Sequence, residues 1–108
     1  MDIKKEEFIF LYSDDARIRH SQKRIKNRII EFVVQLEIMI ENKWYPVVRY
    51  DTSHGFAHKD IIKPSGKVEK IPLFFQDFNE ALTFAEEELR AEWEFFRLKY
   101  LKEEVNNE

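Results

Sequence analysis

Between Lys26 and Ile40 the chain alternates with a period of two. Ile30, Phe32, Val34, Leu36, Ile38 and Ile40 fall on one side; Glu31, Gln35 and Glu37 fall on the other, with Val33 and Met39 among them. Successive side chains of a strand point to opposite faces, so this pattern specifies a long β-strand with one buried face. Wound into a helix, the same residues would scatter their apolar groups around the axis. The chain must therefore build a sheet and cover one side of it.

Other elements follow from the same reasoning. Glu6 to Ser13, rich in Phe, Ile, Leu and Tyr, reads as a first strand that ends at the polar "SDD". The basic stretch after it is expected to be a loop leading into the long strand. Beyond Ile40, a three-residue loop Glu41-Asn42-Lys43 pairs Ile40 with Trp44, Ile38 with Pro46, Leu36 with Val48 and Val34 with Tyr50. That register keeps one face apolar and sets Arg49 beside Gln35 and diagonal to Glu37. A two-residue loop would turn Arg49 and Asp51 onto the core face, because a slip of one residue inverts every side chain. Pro46 cannot donate to a ladder and marks a bulge or an outward-facing position. In "KDIIKPSGKVEKIP", Pro64 suits the first corner of a type I turn and Gly66 the left-handed residue after it, closing a hairpin that pairs Ile62 with Val68 and Asp60 with Lys70.

From Asp77 the period changes. "DFNE" is a capping box, and Phe78, Leu82, Ala85, Leu89, Trp93, Phe96 and Tyr100 form one stripe along a helix reaching about Glu104. The expected fold class is α+β: a curved antiparallel sheet of four or five strands, over about residues 6–72, packed against one long C-terminal helix over about 78–104. A second apolar line on the helix, Phe84, Ala91, Phe95, Leu98 and Val105, projects away from the first. A helix on a sheet needs only one apolar face, so this line predicts a homodimer through Phe84, Phe95 and Leu98.

With 108 residues, 44% of them apolar and ten of them Phe, the chain has material for one domain with one core. It contains no cysteine, which excludes disulfides and thiolate metal sites. No apolar run approaches the roughly 18–20 residues of a membrane span, and the N-terminus lacks the shape of a signal peptide. A cytoplasmic protein with no membrane partner and no cofactor is expected.

Two features carry functional expectation. Between Ala16 and Ile30 lie Arg17, Arg19, Lys23, Arg24, Lys26 and Arg28, with His20 and no acidic residue, although the net charge is −3. Such a stretch attracts phosphate, or else it serves as a solvated strand edge that discourages aggregation. The other feature is "RYDTSHGFAHKD", residues 49–60. Arg49 and Asp60 have structural partners in Gln35, Glu37 and Lys70, and Asp51 sits where a strand exit bonds its local backbone. Two histidines beside two acids go beyond that need. Imidazole moves protons near neutral pH, a carboxylate fixes its tautomer, and Arg49 would stabilise an anionic transition state. The candidate catalytic set is Arg49, Asp51, His54 and His58. Asp51, His54, His58 and Asp60 could instead ligate zinc or manganese, although Gly55 interrupts His-x3-His and rules out a helical metalloprotease arrangement. No phosphate loop, dinucleotide fingerprint or serine-nucleophile setting is present.

The string "WYPVVRYDTSHGFAHKD", followed by a hairpin and the "EALTFAEEELRAEWEFFRLKY" helix, resembles a group of short uncharacterised prokaryotic proteins over about Lys23 to Tyr100. A fainter resemblance is to TumE-type toxins of toxin–antitoxin pairs, where an aromatic-Arg-Tyr-Asp strand end precedes a histidine-containing stretch; it covers Arg49, Tyr50, Asp51, His54 and His58. That resemblance implies an RNA-directed, toxin-like component, with the basic stretch binding RNA. The alternative expectation is a non-catalytic homodimeric interaction module.

Overall fold

The computed structural model describes residues 2–106. Six strands lie in one antiparallel sheet in the order in which they occur in the chain: β1 (Ile3–Ser13), β2 (Ala16–Ile25), β3 (Arg28–Ile40), β4 (Lys43–Asp51), β5 (His58–Ile62) and β6 (Val68–Pro72). One helix, α1 (Phe78–Asn106), follows them and packs chiefly on β3 and β4. The class is α+β as expected, but the sheet has six strands rather than four or five.

The extra strand is β2, formed by the basic stretch expected to be a loop. Ala16, Ile18 and His20 are buried on the helix side, while Arg17, Arg19 and Ser21 point the other way. The period-two signal was present, masked by charged residues on the uncovered face. Lys26, in the left-handed region at φ 53, and Asn27 turn the chain tightly into β3.

The β3–β4 hairpin differs from expectation at its tip and agrees with it in the core. Glu41 and Asn42 form a two-residue turn, both left-handed at φ 50 and φ 67, so Ile40 pairs with Lys43 and Ile38 with Tyr45. This is the register that would send Arg49 into the core. An extra residue at Val47, just past Pro46, restores the parity: Glu37 pairs with Pro46, and then Leu36 with Val48, Gln35 with Arg49 and Val34 with Tyr50. The bulge resolves what neither simple loop could, and Val47 is itself buried. The β5–β6 hairpin closes as expected, with Gly66 at φ 90 donating its N–H to the Lys63 carbonyl at 2.9 Å.

At the helix start, the Glu80 N–H donates to the Asp77 carboxylate at 2.9 Å, and the Gln76 N–H donates to Glu80 at 3.2 Å. The core lies between α1 and the sheet. Ala81, Leu82, Ala85, Leu89, Phe96 and Tyr100 meet Phe32, Val34, Leu36, Ile38, Val48 and Tyr50. Polar ties set the helix's position along the sheet. Asn79 accepts from the Ile29 N–H at 2.9 Å and donates to the Asn27 carbonyl at 2.8 Å, and Arg97 reaches Asp15 at 2.7 Å. Between them Glu88 receives the Tyr50 hydroxyl and the Lys59 ammonium. Burial, together with the hydrogen bond to Glu88, pushes the Tyr50 phenol far above its ordinary range, so it remains a neutral donor.

The second helix line is only partly free. Phe84 is half-buried, 5.2 Å from Phe75 and 6.4 Å from Tyr50 between ring centroids, so part of its ring packs within the fold. Phe95, Leu98 and Val105 are exposed. The larger uncovered apolar surface is β1, where Phe8, Ile9, Phe10 and Leu11 are 49–60% exposed. No helix among the described residues is long and apolar enough to cross a membrane.

On α1, Leu89 is buried at 1% exposure and Phe95 is open to solvent at 57%. Leu89→Ala is expected to cost about 3 kcal/mol in urea denaturation, through lost burial and a cavity. Phe95→Ala is expected to stay within about 0.5 kcal/mol of the parent.

Candidate functional site

The stretch from Arg49 to Asp60 crosses from β4 to β5, and each of its polar residues takes a defined place. Arg49 sits opposite Gln35 on one side and Asp60 on the other, and its Nε donates to Gln35 Oε1 at 2.8 Å. It does not reach Glu37. That carboxylate is taken by Arg17 Nε at 2.6 Å, Arg19 Nε at 3.3 Å and Gln35 Nε2 at 2.6 Å. Asp51 ends β4 and accepts the Ser53 N–H at 3.1 Å and the Ser53 hydroxyl at 2.9 Å, as a strand-exit aspartate does. Thr52 exchanges hydrogen bonds with Phe32 of β3: its Oγ1 accepts from the Phe32 N–H at 3.0 Å, and its own N–H donates to the Phe32 carbonyl at 3.2 Å. A single turn, Ser53–Gly55, follows, with His54 at φ 71 and Gly55 at φ 83 reversing the chain.

Asp51 and His58 are direct cross-strand partners. His58 Nε2 lies 2.8 Å from Asp51 Oδ1 and 3.7 Å from Asp60 Oδ1, and Lys70 Nζ stands 3.4 Å from both oxygens of Asp60. Asp51, His58 and Asp60 are all buried, at 7%, 4% and 3% exposure. Nε2 faces the carboxylates. Nδ1 is buried without a hydrogen-bond partner among the described residues. The four candidate catalytic residues are thus split. Asp51 and His58 join, with Asp60 as the third member; Arg49 stands in the neighbouring cross-strand row; His54 is exposed on the turn, its ring 6.2 Å from that of His58.

One imidazole and two carboxylates, with ligand atoms within 4.8 Å of one another, are a donor set suited to a divalent transition metal. In this arrangement His58 Nε2 lies against Asp51 and Lys70 beside Asp60, while His58 Nδ1 has no partner among the described residues. Catalysis has a further requirement, access for a substrate. The surface hollow beside the turn is lined by Gly55, Phe56, Ala57 and Leu73–Phe78 rather than by the His58 cluster.

The basic residues are also dispersed. Arg17, Arg19 and Lys23 lie on the uncovered face, where Glu37 holds the first two and Glu31 lies 2.8 Å from Lys23. Arg24 falls after a bulge, opposite Ile29, with its Nε buried; Lys26 and Arg28 flank the exposed β2–β3 turn. The Lys59–Glu88–Tyr50 group has no signature in the sequence. Strand parity could have placed Lys59 on the helix side, but no local signal names its partner, Glu88.

Removing His58 leaves two buried carboxylates side by side, so His58→Ala is expected to lose about 2–4 kcal/mol in urea denaturation, with His54→Ala nearly neutral. Burial alone would raise the Glu37 carboxyl, but hydrogen bonds from Arg17 and Gln35 and the charges of Arg17 and Arg19 outweigh it and hold it below its ordinary 4.5. Its contribution to stability is complete above that value and disappears as pH falls through the lower folded value. Urea midpoints measured as a function of pH should therefore decline on acidification below 4.5, and less steeply in Glu37→Gln.

Residues 3–106 match the family model described as a domain of unknown function (DUF7718), and the chain belongs to that family. No curated protein and no solved structure matches it.

Proposed function

We propose that this member of the DUF7718 family is a non-catalytic interaction module that docks an extended protein segment along its β1 edge. The observation that carries this reading is β1 itself. It is an eleven-residue edge strand with Phe8 and Phe10 uncovered on the helix side and Ile9 and Leu11 uncovered on the other. Natural sheets guard their free edges with short strands, lysines, prolines and bulges. At the opposite edge, β6 has five residues and carries Lys70 and Pro72, and Lys67 directly precedes it. On β1 the charged residues stop at Glu7, and the stretch after them is apolar on both faces. Strand addition to such an edge gains backbone hydrogen bonds, and the alternate side chains give specificity. In this reading the sealed Asp51–His58–Asp60 cluster braces the β4–β5 connection.

A second reading, RNA-directed and toxin-like, draws on one cross-strand row. Arg19, Gln35, Arg49, Asp60 and Lys70 are successive partners across β2 to β6, with Arg17 and Lys23 beside them. Glu31, Glu37 and Asp60 stand among these cations, so any RNA affinity would be weak and steeply salt-dependent.

The test is a fluorescence-anisotropy titration with a labelled synthetic peptide of alternating Phe and Thr. At protein dilutions where the chain is monomeric, binding is expected to fall at least tenfold in Phe10→Glu and to be unchanged in His54→Ala. Absence of binding to protein that light scattering shows to be monomeric overturns the reading. Binding of single-stranded RNA that weakens with salt and is lost in Arg19→Glu favours the second.

A further inference from the structure

We propose that the occupant of the β1 edge is β1 of a second copy, paired antiparallel about Ile9 to give one continuous twelve-stranded sheet. This rests on the reading of β1 as a docking edge and names the partner.

Symmetry limits the choices. Two copies of one strand paired antiparallel in a single sheet are related by a twofold axis normal to it, so each residue meets one on its own face and the central residue meets its own copy. With Ile9 at the centre, Phe8 meets Phe10 of the second copy on the helix side, and Ile9 meets Ile9 on the other. Phe8, Ile9 and Phe10 then cover their counterparts, while Leu11 lies opposite Glu7 and Tyr12 opposite Glu6. Charge agrees with this register. Lys4 and Lys5, at one end of the strand, run beside Ser13 and Asp14 of the second copy, and Asp14 is exposed. Centring one residue earlier sets Ile9, Phe10 and Leu11 all opposite charged residues, Glu7, Glu6 and Lys5; centring one later keeps Ile9 against Leu11 but puts Glu6 opposite Asp14, a like-charge pair.

The groove beside the strand fits the same partner. Because α1 rests on β3 and β4, it leaves an open hollow of about 370 Å³ over β1 and β2, lined by Phe8, Phe10, Tyr12, Ile18, Leu89 and Arg90. A twofold axis normal to the sheet keeps both helices on one side. Each copy therefore brings its own Phe8 and Phe10 to the mouth of the other's hollow. The guarded β6 edge makes head-to-tail growth unfavourable, so the assembly closes at two copies.

The experiment uses the full chain, which contains no cysteine. Directly opposed strand residues have Cα atoms about 4.5–5.5 Å apart, within disulfide reach. The expected results are a light-scattering mass twice the 13.2 kDa of one chain, and near-complete disulfide-linked dimer on mild oxidation of Ile9→Cys. Val68→Cys, on the opposite edge, should give none. Phe10→Glu should yield a monomer with unchanged circular dichroism, because Phe10 is already half exposed. A wild-type monomer at micromolar concentration that still binds the Phe/Thr peptide overturns self-pairing while leaving the docking edge standing. A monomer that binds no peptide overturns both. A dimer that survives Phe10→Glu and whose Ile9→Cys thiols do not cross-link overturns the β1 interface.

Discussion

A helix with its side chains is about 10 Å across, whereas six strands about 4.8 Å apart span about 24 Å, so one helix can cover only part of this sheet. Where α1 rests decides the character of every strand. Under it, β3 and β4 supply the fully buried residues Leu36, Val34, Val48 and Tyr50, and Ala81 and Ala85 let the backbones approach closely. Beside it, β2 contributes Ile18 and His20 at the margin of the core. Beyond it, the helix-side row of β1 is covered by its own chain chiefly at Tyr12, which stacks on Trp93, and Phe8 and Phe10 stay half exposed.

The helix's position is fixed by polar groups as much as by its stripe. Asn79 binds the β2–β3 turn, Arg97 binds the β1–β2 turn, and Glu88 binds Tyr50 and Lys59 in the centre. A smooth apolar stripe tolerates sliding by a turn; three directional contacts spread along the helix do not. The uncovered face is built on different terms. There, buried acids are matched one by one, Glu37 with Arg17, Arg19 and Gln35, and Asp51 and Asp60 with His58 and Lys70. Buried ions left unmatched would cost several kcal/mol each, which is why these residues occur as groups.

The sequence's legibility follows the same division. β3, the β5–β6 hairpin and the helix with its Asp77 cap were readable, because each is specified by residues a few positions apart. β2 was not, because a strand with arginines on one face and Ala16, Ile18 and His20 on the other looks like a basic loop when its cover is unknown. At the β3–β4 tip Pro46 marks a bulge, but its effect on parity is not visible in the sequence, and it is the extra residue Val47 that reconciles a two-residue turn with Arg49 on the outer face. At the candidate site, the pairing of Asp60 with Lys70 and of Arg49 with Gln35 followed from register alone. The meeting of Asp51 with His58, to the exclusion of His54, depended on the left-handed backbone at His54, which the sequence does not announce.

The meander order bears on how the molecule is made. Each strand pairs with its immediate predecessor, so every ladder closes a short loop and can form as soon as its second strand exists. The cover, however, leaves the ribosome only after all six strands. Until Leu89, Phe96 and Tyr100 have emerged, Phe32, Leu36 and Tyr50 form a bare apolar strip on a growing sheet, flanked by the equally bare β1. A chain halted before Phe78 would hold its hairpins but not its core, and would present its stickiest surface to other chains. Assembly of this fold is thus a matter of timing, with the helix as the step that ends the exposure.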